Sequence, residues 1–245
     1  MRLPAAVFFL LVPLSVSADA LSDLRATLTQ LAATTPAHGA FEVTSSNKSS
    51  DEDQPFQGKA SVGFEIGDAG LRILYPKATL MQANQEARAE AADPDRQTPA
   101  RAGIGRIHPL QLAEVLDGAV SLTNELLTAQ LIDAKPATWR GKPARLVAFK
   151  LSPKLSKGTS KRVKRVDAVL SVWLGDDGVP IAAERKFVVK ASFMLISFES
   201  DQKENWTYTR SGDRLVATFY EEMQKSDGFG QHNVLHVVQV VRLDS

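Results

Sequence analysis

The sequence predicts an α+β fold dominated by an antiparallel β-sheet. Three observations carry that expectation. Short apolar runs of strand length follow one another through tight turns rich in Gly and Asp. A leucine-spaced stretch stands near the start of the chain. Residues 77–128 replace the strand rhythm with strong helix formers.

The opening "MRLPAAVFFLLVPLSVSADA" has one basic residue, Arg2, an apolar core from Ala5 to Leu14, and small residues at Ala18 and Ala20. This is the pattern of a secretory leader, and its apolar run is short for a membrane span. Residues 1–20 are therefore expected to be a cleaved signal peptide and 21–245 a single α+β domain, exported to the bacterial periplasm. The 245 residues contain no cysteine. That removes disulfide staples, thiol chemistry and a lipid-modified cysteine, leaving core packing to stabilise the fold. Lys plus Arg number 29 against 28 Asp plus Glu, a balance without global attraction to nucleic acid.

Leu21, Leu24, Leu28 and Leu31 recur at helical spacing, and the helix is expected to end by Pro36. "GAFEVTSS" reads as a strand, and "KASVGFEI", "GDAG" and "LRILYP" as a hairpin. "KATLMQANQEARAEAAD" reads as a helix stopping at Pro94, followed by a linker from Asp93 to Ile107. A second helix begins at "HPLQLAEVLDGA", with Pro109 at its first position and Leu112, Val115, Leu116 and Ala119 in one stripe. This stripe is too thin for a core of its own, so 77–128 reads as an insertion on a β framework. Beyond it, "AQLIDAKPATW", "ARLVAFKLS", "VDAVLSVWLG", "VPIAAERKFV", "NWTYTR", "LVATFYEEM" and "NVLHVVQVVRL" form a meander joined by "RGKP", "DDG" and "SGDR".

The stretch "KFVVKASFMLISFES", Lys186 to Ser200, reads as a β-strand, yet it is apolar on more than one side. Alternation puts Phe187, Val189, Ala191, Phe193 and Leu195 on one face. Met194, Ile196 and Phe198 follow Val188 on the other. The last strand shows a similar pattern. A sheet with one solvated face alternates more cleanly, so a second layer is expected over part of this face: packed helices, a second sheet, or an apolar ligand cavity.

The leader, the helix "LSDLRATLTQLAATTPAHGAFEV", the hairpin closing on "LRILYP", the pair around "WRGKPARLVAFKL" and "VDAVLSVWLGDDGVPIAAERKFV" together resemble the LolA-like superfamily of periplasmic proteins. That resemblance implies an incomplete antiparallel β-barrel or curved sheet, with an N-terminal helix and inserted helices against its concave face, enclosing an apolar cavity for acyl chains. It further implies non-catalytic binding or transport of a lipid or lipidated protein. The alternative is an interaction or sensor module of the bacterial cell envelope. Burying a methylene is worth about 0.8 kcal/mol, so a long acyl chain needs a dry pocket to cross water. The expected lining residues are Phe64, Leu170, Phe187, Val189, Phe193 and Leu195.

The loop "KLSKGTSKRVKR" carries Lys154, Lys157, Lys161, Arg162, Lys164 and Arg165 without an acid. It reads as a solvated hairpin tip, or as a docking patch for an anionic membrane surface or an acidic partner. His232 and His236 are four apart in a strand, which separates them, and no metal site or cofactor is expected. No nucleophile elbow, phosphate loop or paired carboxylates stand out, so no enzyme is expected.

Overall fold

The computed structural model describes residues 16–32, 35–153, 162–193, 196–228 and 230–244, without the side chains of residues 16–19, 193 and 196. Helix α1 (Val16–Gln30) leads into strands β1 (Ala37–Ser49), β2 (Phe56–Gly67) and β3 (Gly70–Leu74). Four helices follow: α2 (Lys77–Ala92), α3 (Pro99–Gly105), α4 (Pro109–Leu116) and α5 (Gly118–Glu125). A 3₁₀ turn at Leu126–Thr128 then leads to β4 (Gln130–Trp139) and β5 (Lys142–Lys150). The chain closes with β6 (Val163–Leu174), β7 (Pro180–Phe193), β8 (Ile196–Ser211), β9 (Arg214–Gly228) and β10 (Gln231–Leu243).

All ten strands join one open antiparallel sheet in the order β3-β2-β1-β10-β9-β8-β7-β6-β5-β4. β4 to β10 run as a meander, and β10 returns to pair with β1, for example Phe41 with Val241. Tight turns set much of this. Between β4 and β5, Arg140 and Gly141 take φ of 50° and 79°, the pair of positive values a two-residue hairpin turn requires. The same turn places Trp139 against Trp173, ring centroids 4.9 Å apart.

One face of the sheet carries the helices. Leu24, Leu28 and Leu31 of the N-terminal segment are buried. So are Leu112, Val115 and Leu116 of α4 and Ala119 and Leu122 of α5. They share a core with Phe41, Val43, Val62, Phe64, Val147, Phe149, Leu170, Val172, Leu215 and Val241. The stripe expected in the insertion thus packs onto the sheet. α1 begins at Val16, five residues before Leu21, and includes the last residues of the expected leader.

Three local expectations are corrected. The linker 93–107 contains α3, started by Pro99 at its N-terminal turn. α3 meets β2 at Gly103, where a Cβ would lie 2.2 Å from Lys59 C, so only glycine permits the approach. The second helix is two helices, divided at Asp117, whose side chain accepts from Val120 N. Gly118 then sits so close to β8 and β9 that a Cβ would lie 2.9 Å from Tyr208 Cε1.

The third correction concerns Lys186–Ser200. It is a hairpin: β7 ends at Phe193, β8 begins at Ile196, and Ala191 pairs with Phe198. The pairing puts Phe198 on the same face as Phe187, Val189 and Ala191. The other face carries Lys186, Val188, Lys190, Ser192, Ser197, Glu199, Asp201 and Lys203. Counting alternation through the reversal had split one apolar face into two. The described part of this region alternates as a half-solvated sheet does, and no second layer is required.

Candidate functional site

Position along β7 to β10 divides the helix-bearing face. In the near half, Ala183, Tyr208, Val216, Ala217, Tyr220, Val237 and Val241 are buried. In the far half, between residues 184 and 203 and between 221 and 236, Ser200 is the single buried residue among those described. Register places Phe187, Gln202, Gln224, Leu235 and Asn47 in one row across the sheet. Val189, Ser200, Ser226, Asn233 and Ser49 form the next. Gln202 Nε2 donates to Glu222 Oε1 (2.8 Å), and Gln224 Nε2 donates to Ser200 Oγ (3.2 Å). Half-buried apolar groups thus alternate with a cross-strand ladder of amides and hydroxyls.

Between the halves, beneath α4 and α5, lies a cavity of about 110 Å³. Its walls include Glu114 and Val115 of α4, Glu125 of α5, and Leu170, Arg185, Glu204, Trp206, Tyr208, Tyr220 and Gln239 of the sheet. Arg185 pairs with both Glu125 and Glu204, and its guanidinium stands over the Trp206 ring, 5.9 Å from the centroid. Tyr220 donates to Glu204 Oε1 at 3.0 Å and lies within hydrogen-bond reach of Glu222 Oε2 at 3.2 Å. The Trp206 and Tyr220 rings meet at a tilt of 47°, centroids 5.5 Å apart.

Burial pushes the Glu125 carboxyl above its ordinary range. Arg185 opposes the shift, and Glu204 and Glu114 add to it. For Arg185, burial acts to lower the value, but the hydrogen bond and charge of Glu204, with Glu125, raise it overall. Burial, then Glu204 and Glu222, push the Tyr220 phenol well above its usual value, so it stays protonated as a donor. Burial does the same to Tyr208, with Glu125 and Glu204 adding to it.

The expected lining residues are not collected in one place. Phe64 and Leu170 are each 1% exposed within the packed core. Leu170 borders the 110 Å³ cavity. Phe187 borders a separate space of about 230 Å³ with Leu151, Pro153, Ala168 and Arg185. Val189 is half-buried in the row beyond. Leu195 and the Phe193 side chain lie outside the described residues.

Of the basic loop, Lys154, Lys157 and Lys161 also lie outside them. Arg162 and Lys164 are exposed, and Arg165 pairs with Asp167. His236 contacts Glu221 at 3.0 Å and His232 contacts Asp227.

Sequence reasoning missed the charged cluster. Its members Arg185 and Tyr220 stand beside strand carboxylates in which the sequence shows no acid–base pair. Arg185 meets Glu125 and Glu204 in the cavity, while Glu184 pairs with Lys186 and Lys203 on the opposite face. One signal was present: Gln239 interrupts the apolar run "HVVQVV" at an inward position.

A roomier groove of about 480 Å³ lies between α1, β4, β5 and the β6–β7 turn. It is bordered by Leu24, Ala134, Pro136, Pro143, Ala144 and Leu174, with Asp23, Lys135, Arg145 and Asp176.

No family model and no curated protein matches the chain. Among solved structures, the crystal structure of MucB in complex with MucA(peri) aligns with 92% of this chain and 94% of that chain. The identity is 10% and the TM-score 0.16, too slight a likeness to relate the two.

Proposed function

We propose that this chain is a non-catalytic binding protein of the bacterial periplasm, delivered by a cleaved leader, which holds a protein partner on the far half of its helix-bearing face. The composition of that face carries the reading. Phe187, Val189, Leu235 and Phe198 stand unburied among Gln202, Gln224, Ser226 and Asn233. Apolar groups interleaved with hydrogen-bonding ones match what protein interfaces use. An acyl chain gains nothing from amides and carboxylates, which would lose their solvation against it. The two carboxylates paired in the cavity support a non-catalytic role: Arg185 holds Glu125 and Glu204, and Tyr220 donates to Glu204, so each is engaged as an acceptor.

Photo-crosslinkers at Gln202 and Gln224, with a control at Arg72 on β3, test the reading in a bacterial periplasm. One protein adduct at both far-half sites and none at the control is expected. No adduct at either site overturns it. Fractionation and intact mass check export and loss of residues 1–20. Turnover in an esterase screen would overturn the non-catalytic role.

The second reading, carriage of a lipid or lipidated protein, is favoured by the groove of about 480 Å³ beside α1. That volume falls in the range of about 300–1,000 Å³ common for ligand pockets. Acyl species in a lipid extract of the purified protein, displaced by Ala144→Trp, would support it.

A further inference from the structure

The cavity beneath α4 and α5 combines an excess of negative charge with an acceptor that has nothing to accept. Among the described residues lining it, Arg185 is the single cation against three carboxylates, Glu114, Glu125 and Glu204. Gln239 is 1% exposed, and its Oε1 has no hydrogen-bond partner among the described residues. Buried acceptors are normally satisfied, so an orphan one in a native fold asks for its donor. Trp206, Tyr208 and Tyr220 supply aromatic walls, and aromatic faces attract cations. Burial first, then the neighbouring Glu204 and Glu114, raise the Glu125 carboxyl against the pull of Arg185.

We propose that this cavity binds a compact organic cation, a guanidinium or alkylammonium group, received by Glu125, Glu204 and Gln239 Oε1 between the three rings. The size fits. One water needs about 10–15 Å³ of such space, so about 110 Å³ takes a head group of several heavy atoms on a short stem. It is below the range of about 300–1,000 Å³ usual for larger ligands. Among the described residues no group of three or more His, Cys, Asp or Glu is placed to hold a metal ion. A planar or tetrahedral N–H donor meets the acceptors that are present. Arg185 remains between Glu125 and Glu204, and the surplus charge belongs to the guest. The cation comes as a free small amine or as an arginine or lysine side chain of a partner, the latter source resting on the protein-partner reading.

The test uses the full chain and titrates methylguanidinium, butylammonium and neutral urea, followed by calorimetry and by tryptophan emission. Trp139→Phe and Trp173→Phe together leave Trp206 alone to report. Short peptides carrying one internal Arg or Lys form the second arm. Saturable millimolar binding of the cations, with none of urea, is expected. Gln239→Leu and Glu125→Gln are each expected to weaken it about tenfold, the loss of one hydrogen bond to a charged group. Gln239→Leu removes a buried orphan acceptor, so its thermal unfolding is expected at or above that of the parent, which separates lost binding from lost folding. Binding of free cations assigns the pocket to a small molecule, and binding of the peptides alone assigns it to a partner's side chain. No saturable binding of any cation, or binding that both variants leave unchanged, leaves the cavity to water and overturns the proposal. Absence of a crosslink at Gln202 with retained methylguanidinium binding would remove the partner reading and leave this site standing.

Discussion

Strands β7 to β10 are continuous, yet their two halves differ as though they belonged to different molecules. The near half presses Ala183, Leu215, Val216, Ala217, Val237 and Val241 under the helices. The far half has the same backbone pairing and buries Ser200 alone among its described residues. Its outer surface is held by cross-strand charge pairs such as Lys190 with Glu199 and Lys203 with Glu184. Composition sets part of this difference, because the far half turns Ser200, Gln202, Gln224 and Ser226 to the same face. Helix cover sets the rest: Phe187 and Val189 are as apolar as Ala183 and Val241 yet stay unburied, and the charged cluster around Arg185 lies where the cover ends.

The comparison would break most visibly through core truncations. Phe149→Ala is expected to cost about 3–5 kcal/mol and Leu116→Ala about 2–5 kcal/mol. Phe187→Ala in the far half should cost about 1 kcal/mol or less. Urea unfolding measures all three, and equal losses would erase the distinction between the halves.

At the border, Arg185→Met leaves Glu204, whose side chain is 6% exposed, without its cation. A loss of about 3 kcal/mol is expected, read in the same urea experiment. A neutral outcome would mean the cluster is solvated. Gly103→Ala drives a Cβ into the β2 backbone, with an expected cost of about 1–3 kcal/mol.

Hydrogen exchange sharpens the comparison residue by residue. Amides between 222 and 236 are expected to exchange through local opening well before those of 214–217 and 237–241. Uniform protection along β9 and β10 would show that pairing alone rigidifies the far half.

The smallest effect is in pH. The folded value of Glu125 lies above its ordinary 4.5, chiefly through burial. Its contribution is fully present below pH 4.5 and is lost as pH rises through the raised value. Glu184 is the reverse. Burial pushes it up, but Lys203 and Lys186 outweigh that and hold it below 4.5. Its contribution is present above pH 4.5 and is lost as pH falls through the depressed value. Glu125→Gln should flatten the decline above pH 4.5, and Glu184→Gln the decline below it, in thermal unfolding scanned across pH.

Much of the framework was legible locally. The leucine spacing of α1, the α4 stripe and the glycine turns each express a preference the backbone has by itself. The reversal between Phe193 and Ile196 carries no Gly, Pro, Asn or Asp, so nothing in the residues announced it. With the reversal hidden, the parity of Phe198 came out on the wrong face and suggested a hollow that the pairing does not require. The cluster was illegible for another reason. Glu125, Arg185, Glu204, Tyr220 and Gln239 come from one helix and four strands, and each alone looks like a solvated or isolated polar residue.

The sequence by itself determined most of the helices and strands, though not α3, the break at Asp117 or the β7–β8 reversal, and it determined that consecutive strands pair antiparallel. Those outcomes rest on side-chain periodicity and turn chemistry acting over a few residues. Only the tertiary structure decided which half of each strand is sheltered and which charges meet. Register and helix placement are set by packing between segments a hundred residues apart, and alternation along one strand cannot say what lies above it.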